Sequence, residues 1–407
     1  MKSHKPRRFA IVTQVFPPDP AAVGQHLADV AQELGRLGHH VTVITADRGY
    51  DEPYVRFRRF EREGNISILR LPFCSFGKGS IAARLLSGAS LLTQASCLTL
   101  LDPSLTDLLL STIPHFAGTL GVVSFALRRL PFHYWLMDMN PDQIVALGKM
   151  QPDSLAVKVF DFLNRQILRS ATTIVALDAM MAARFAAKST YGATIEVQPP
   201  WPVQDSEGPL EHQENLFRAK HQLGSERVIM HAGNHSAVHP LDTLVTAIRR
   251  HNQLSLRYLF VGGGVGKASI ERWVLEDRPR NVLLLPYQPR KEVPSMLSAA
   301  DVHVVSVGNG TVGIVHPSKI YGALAAGRPV LVLGPSNSPA AKLVHDYGVG
   351  WHVEHGDVDG ACQVLQDIDR ITPEALLELK NRAFQLSERS FSRAQGITSF
   401  CNRVLGA

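Results

Sequence analysis

Disulfide and metal signals are what this sequence lacks first. Its four cysteines, Cys74, Cys97, Cys362 and Cys401, form no CxxC pair and no metal-ligand spacing, which argues against structural zinc and for a reducing compartment. A membrane span is lacking too: the most apolar stretch, ARLLSGASLLTQASCLTLL at 83–101, is broken by small and polar residues and bounded by Asp102-Pro103. A buried or interfacial helix is expected there instead. The N-terminus MKSHKPRRFAIVTQVF starts basic, but its apolar run is short and leads straight into a strand pattern, so no signal peptide is read. The dinucleotide fingerprint GxGxxG is absent after the first strand. The run FVGGGVGK fails GxxxxGK[ST] as well, because the first glycine would fall on Val261 and Ala268 stands where Ser or Thr is required. Charge is not extreme in either sign. A formal +6 fits an anionic small ligand or an anionic membrane surface. The basic residues are scattered and no base-stacking motif appears, which leaves nucleic-acid binding the weakest reading.

What is present is the composition of a folded soluble chain, 45% hydrophobic and 19% charged. At 407 residues it is too long for one core, so two domains of roughly 200 residues each are expected. An apolar strand at 8–13 runs into Phe16-Pro17-Pro18-Asp19-Pro20, which must be a loop because three prolines fit neither a central strand nor a helix interior. A helix follows from Ala21 to Leu37 and a strand over HHVTVITA. This is a βαβ unit whose loop lies at the strand's carboxyl end, where open α/β sheets bind ligands. YVRFRRFER at 54–62 interleaves aromatic and basic residues and reads as a charged loop, or as a patch for anionic lipid headgroups. Strands ending near Thr112 to His115 and near Asp138 to Asp142 repeat the first pattern. Together with Gln14 to Asp19 they would set polar residues along one rim. A lone Asp or His at such a place is more often a helix cap than a catalyst.

QPPWPVQDSEGP carries the densest cluster of prolines and marks a linker at 198–212 between a domain at 1–197 and one at 213–385, with a terminal helix at 386–407 expected to pack back on the first domain. The βα alternation then restarts and reaches VGNGTVGIVHPSKIYGALAAGRPVLVLGP. There Gly308, Gly310 and Gly313 free the backbone to approach a ligand, and His316-Pro317-Ser318 reads as a helix start with Lys319 in the first turn. Such a start attracts an anion through its N–H groups and dipole, and the lysine adds a full charge. Ile320, Leu324 and Ala325 would bury the far face, Gly327 would end the helix, and VLVLG reads as a parallel strand. The pattern alone also fits an ordinary helix-strand unit.

The ordered segments FPPDPAAVGQ, GHHVTV, DMNPDQIVALG, GNHSAVHPLDTL, FVGGG, LPYQPR and HPSKIYGALAAGRPVLVLGP resemble the family 4 glycosyltransferases, and within them the bacterial branch that builds colanic acid, capsule and lipopolysaccharide sugars. The likeness spans almost the whole chain. It implies an α/β chain of GT-B fold, two doubly wound Rossmann-like domains facing a central cleft. It further implies a metal-independent, retaining transfer from a nucleotide sugar to a glycan, with no cofactor, in the cytoplasm at the inner face of the membrane. Lys319 matches the lysine of the family's PSK motif and would contact the diphosphate, with Ser318 and the glycines up to Gly313 around it. Gly24 matches the glycine of the first loop. Asn234, His235, His239, Gly263, Tyr287 and His316 complete the expected donor contacts.

Departures from the family pattern accompany the matches. Ile314 and Gly322 stand where glutamates are expected for the donor sugar and the ribose, and Asn234 and His239 replace an arginine and a lysine that clamp phosphate. Histidines near a diphosphate would have their charged form favoured and their pKa raised. Asp138, Asp142 and His115 are the candidates for catalytic or acceptor contacts, and the apolar 83–101 segment suggests a polyprenyl-diphosphate-linked acceptor. A nucleotide-sugar 2-epimerase and a non-catalytic nucleotide-sugar or glycan-binding protein share the same features and remain alternatives.

Overall fold

The alternating apolar runs are realised as parallel strands. A computed structural model describes residues 5–50, 52–77, 81–189, 194–203, 208, 210–251 and 254–406. Its contacts divide the chain into two units, Met1–Pro199 with Gly396–Ala407, and Pro200–Gln395. Of the 198–212 linker, residues 204–207 and 209 lie outside the described residues.

The strands of the first unit are β1 (Arg8–Val12), β2 (His40–Ala46), β3 (Phe60–Glu63), β4 (Ile66–Leu71), β5 (Asp107–Ser111), β6 (Phe132–Leu136), β7 (Thr173–Ala176) and β8 (Thr194–Val197). Its helices are α1 (Ala22–Arg36), α2 (Ile81–Leu101), α3 (Ala117–Arg128), α4 (Asp142–Ala146), α5 (Leu155–Ser170) and α6 (Ala179–Ala186). The sheet order is β3-β4-β2-β1-β5-β6-β7-β8. All pairs are parallel except β3 with β4. Strands β5 and β6 are buried along their whole length, which is why DLLLS and FHYWL read as near-continuous apolar runs rather than alternating ones. Because β1 has β2 on one side and β5 on the other, the chain reverses its winding at β1. The loops after β1, β5 and β6 leave neighbouring strands at their carboxyl ends, so the rim expected from the sequence is present.

One local expectation in this unit changes and another is met. The 54–62 stretch is not loop throughout, since its last residues form the antiparallel edge strand β3, with Phe60 opposite Leu69 and Arg62 opposite Ser67. Edge pairing needs only one apolar neighbour, so alternating charge did not forbid it. The 83–101 stretch is a single helix, α2, with Leu91 and Ala95 buried and Leu86 and Leu101 63% and 80% exposed. Among the described residues no helix is long and apolar enough to cross a membrane.

The second unit contains β9 (Arg227–Ala232), β10 (Leu256–Val261), β11 (Val282–Leu285), β12 (Val302–Ser306), β13 (Val330–Leu333) and β14 (Gly350–Val353), in the order β11-β10-β9-β12-β13-β14 and all parallel. Its helices are α7 (Leu216–Lys220), α8 (Asp242–His251), α9 (Lys267–Asp277), α10 (Val293–Ala299), α11 (Lys319–Ala325), α12 (Pro339–Tyr347), α13 (Val358–Arg370) and α14 (Pro373–Ser390). Helices cover both faces. On one, Tyr258, Phe260, Leu331 and Leu333 pack with Ile270, Trp273 and Leu365; on the other, Val305, Val330 and Val332 pack with Ile320, Leu324 and Val344. Each such large apolar side chain contributes about 1.5–3 kcal/mol when fully buried.

The terminal helix is shorter than the 386–407 expected. The α14 helix runs through Ser390, and a separate α15 (Arg393–Leu405) follows Phe391 and Ser392. That last helix belongs to the first unit, where Phe400 packs on Trp135 with ring centroids 4.1 Å apart and the Arg7 guanidinium donates to the Leu405 carbonyl at 3.0 Å.

Candidate functional site

In the second unit the winding reverses at β9, flanked by β10 and β12, and the loops that follow these strands carry most of the expected donor contacts. Lys319, the first residue of α11, turns its side chain back to this point. Its Nζ donates to the Asn234 carbonyl at 2.7 Å and to His231 Nε2 at 3.2 Å. Gly233, at φ +112°, makes room for it: a Cβ there would stand 3.0 Å from the lysine's Cε. His235 and His239 belong to the same loop. The His235 ring lies edge-on to that of His231 at 4.7 Å and donates through Nδ1 to Gly233, and His239 Nδ1 donates to the Ser306 carbonyl at 2.6 Å.

The glycines after β10 serve the same loop from behind. A Cβ on Gly264 would stand 2.3 Å from the Asn234 side-chain oxygen, and one on Gly263 would stand 3.0 Å from the Tyr287 ring, whose hydroxyl donates to the Gly263 carbonyl at 3.3 Å. Lys267 is not a phosphate ligand. It is buried, and its ammonium donates to the Gly262 and Leu285 carbonyls at 2.5 and 2.6 Å, closing the ends of β10 and β11. Rejecting FVGGGVGK as a phosphate loop agrees with that geometry.

Several expected residues take other places. His316 accepts from or donates to the Tyr321 hydroxyl at 2.8 Å and stacks on that ring. Gly308 spends its N–H on the Val238 carbonyl at 3.0 Å, which ties the 308–315 turn to the 234–239 loop, and Gly313 supplies the φ of +70° that the turn needs. Ser318 is exposed at the start of α11. Ile314 is buried, in keeping with an apolar side chain where a carboxylate was expected.

The rise in pKa expected of these histidines belongs to a bound diphosphate; within the protein's own field, burial first and then the Lys319 charge push His235 and His239 down to about 4 and His231 well below its usual range. Burial alone pushes the Lys319 ammonium down to about 7. Lys319, His231, His235 and His239 therefore form a cluster in which any charge is positive. A dianion would be drawn to it.

His231 was missed from the sequence. A histidine inside RVIMHA reads as a core residue, and only the β9–β12 neighbourhood shows that its second nitrogen meets a lysine.

In the first unit, Asp138 and His115 come together. Both line one cavity with Thr112, Phe116, Tyr134, Asn140 and Phe160, among others. The Thr112 hydroxyl, His115 Nδ1 and the Asn140 side-chain oxygen are buried without a hydrogen-bond partner. Burial raises the Asp138 carboxyl to about 6 and lowers His115, with Arg84 adding to the latter. A hydroxyl-bearing ligand would satisfy such orphaned groups.

Asp142 and Gly24 are placed elsewhere. The Asp142 carboxylate is bound by Arg184 at 3.0 Å and Lys188 at 2.7 Å on and beside α6, and it does not line that cavity. Gly24 is buried against its own loop, where a Cβ would stand 2.8 Å from the Val15 carbonyl oxygen, so local packing already requires glycine.

Comparison with known proteins bears on family and fold. Residues 21–201 match the glycosyl transferase 4-like domain family and residues 213–373 match the glycosyl transferases group 1 family. A probable glycosyltransferase, WbjE of Pseudomonas aeruginosa, is 24% identical over 251 residues, 61% of this chain and 63% of that protein, so the match spans less than two thirds of WbjE. The putative colanic acid biosynthesis glycosyl transferase WcaI of Escherichia coli is 22% identical over 96% of this chain and 98% of its own. Among solved structures, sucrose-phosphate synthase from Thermosynechococcus elongatus superposes with a TM-score of 0.79 at 15% identity, covering 98% of each chain. HepE of Anabaena in complex with UDP-glucose does so with 0.72 at 12% identity, covering 98% of this chain and all of that one. With a doubly wound sheet in each unit and a matched domain in each half, the chain belongs to the family 4 glycosyltransferases of GT-B fold.

Proposed function

We propose that the protein transfers a sugar from a nucleoside-diphosphate sugar to a glycan acceptor during synthesis of a cell-surface polysaccharide. One observation carries the reading: a lysine and three histidines converge on the switch point of the second unit's sheet. The bond between the anomeric carbon and the diphosphate oxygen breaks and negative charge grows on that oxygen, which Lys319 stabilises most when the charge is greatest. The acceptor hydroxyl forms the new bond to the same carbon, and its proton goes to the departing phosphate oxygen. That route retains configuration, uses no protein nucleophile and needs no metal. HepE, solved with UDP-glucose, supports a nucleotide-sugar donor, and WcaI, by its name, supports polysaccharide as the product.

The acceptor is assigned to the first unit's cavity, where Asp138 and His115 meet. A lipid-linked acceptor is supported by an apolar surface in the same unit. Tyr54, Phe73 and Leu86 are 77%, 64% and 63% exposed, and Arg56 and Arg58 are exposed on the segment that carries Tyr54. These segments are tied together, since the Phe76 amide donates to Ser87 on α2 at 2.9 Å and Pro53 packs against Gly77. Aromatic and aliphatic side chains with arginines around them suit an anionic bilayer surface.

A thermal-shift series with nucleotide sugars and nucleoside diphosphates, run on the wild type and on Lys319→Ala, tests the donor. Stabilisation of the wild type that the variant loses is expected. No stabilisation by any nucleotide would sink the reading.

A further inference from the structure

We propose that His231 is a positioning residue, a fixed hydrogen-bond acceptor that holds the Lys319 ammonium so that one N–H is left for a phosphate oxygen. The proposal rests on the reading of Lys319 as the diphosphate contact.

His231 lies on β9 at 1% exposure, in the middle of the second unit. Its Nδ1 is 3.1 Å from the Val304 carbonyl on the neighbouring strand β12. A carbonyl can only accept, so Nδ1 carries the proton and Nε2, in the neutral ring, presents a lone pair. That lone pair faces Lys319 Nζ at 3.2 Å, while the Asn234 carbonyl takes a second N–H at 2.7 Å. Two of the three ammonium protons are then committed in fixed directions. The third defines where an anion is met.

Among the described residues, the titratable groups that act on His231 besides Lys319 are His235 and His239 from the loop after β9, and Lys267 of α9 acts in turn on His235. A protonated His231 would set two cations 3.2 Å apart in a buried place, so the ring is kept neutral, as its lowered pKa also indicates. Space filling alone would be met by the aromatic or aliphatic side chains found along β9 and β10, such as Met230 and Phe260. What histidine adds is an acceptor whose tautomer is set by the sheet.

The test is calorimetric titration with UDP, GDP and ADP on wild type, His231→Phe, His231→Gln, Lys319→Ala and the double variant His231→Phe/Lys319→Ala, with a ligand-free melt on each. Phe keeps the ring volume without an acceptor, and Gln restores an acceptor. Affinity is expected to fall about tenfold or more in His231→Phe, to recover in large part in His231→Gln, and to be no lower in the double variant than in Lys319→Ala, because neighbours acting through one group are not additive. If His231→Phe fails to fold, His231→Asn, too short to reach Nζ, takes its place. Wild-type affinity in His231→Phe beside a weakened Lys319→Ala overturns the positioning role and leaves the diphosphate reading intact. A wild type that binds none of the three overturns both.

Discussion

Lys188 Nζ lies 2.7 Å from Asp142 and 2.6 Å from Asp161, so the carboxylate that opens α4 is neutralised by the lysine just past α6. Side-chain exposures of 14% and 12% for Lys188 and Asp142 make this a half-buried clasp between two helices. Asp142→Asn should therefore lower stability, by roughly 1 kcal/mol, and leave transfer activity within about twofold. A chemical melt alongside an assay with a saturating donor checks both. Loss of activity with an unchanged melt would return Asp142 to the catalytic group.

Asp138 should behave differently. Burial holds its carboxyl near 6 against an ordinary value of 3.8. A raised acid binds more protons in the folded chain than in the unfolded one across that window, so its contribution to stability is present at the acid end and is lost as pH rises from about 4 through 6. If the carboxylate orients an acceptor hydroxyl, kcat/KM climbs over the same interval. Asp138→Asn should remove that limb and lower kcat/KM by about tenfold or more. A pH profile of the variant that still rises between 5 and 7 would assign the limb to another group.

Lys319 gives the opposite sign. Its folded pKa is near 7 while the unfolded chain has about 10.5, so the unfolded chain binds more protons between those values and stability rises with pH across that range. Ligand affinity runs the other way, since a diphosphate needs the ammonium. Binding is expected to weaken as pH climbs above 7 and to take up a proton there, which calorimetry in buffers of different ionisation enthalpy measures. Affinity independent of pH from 6 to 9 would mean that Lys319 stays charged without the ligand.

Fold and site were legible to different depths for physical reasons. Parallel strands buried on both faces, such as DLLLS and VLVL, announce themselves as apolar runs, and the loops at the carboxyl ends of such strands carried Asn234, His235, Asp138 and His115, with Lys319 at the helix start that follows one of them. Pairing across strands is not local and was not readable. His231 became visible only when β12 placed Val304 beside it, and β3 only when β4 gave a charged segment a partner. Motif likeness identified Gly24 but not its cause, which is the approach of α1 to the Val15 carbonyl.

That approach supplies the last prediction. A Cβ at Gly24 would sit 2.8 Å from the Val15 oxygen and 3.0 Å from the Phe16 Cα, closer than backbone atoms tolerate. Neither neighbour is the end of a flexible side chain. The 15–20 loop is itself pinned, with Asp19 accepting from the Ala21 and Tyr50 amides at 3.0 and 2.8 Å and Arg70 donating to the Pro17 carbonyl at 2.8 Å. Gly24→Ala must then push α1 away from β1 or distort the loop, at a cost of about 1–3 kcal/mol. The melting temperature should fall while the second unit's affinity for nucleoside diphosphate stays as it was. Weakened diphosphate binding with an unchanged melt would instead support a direct role for Gly24 at the ligand.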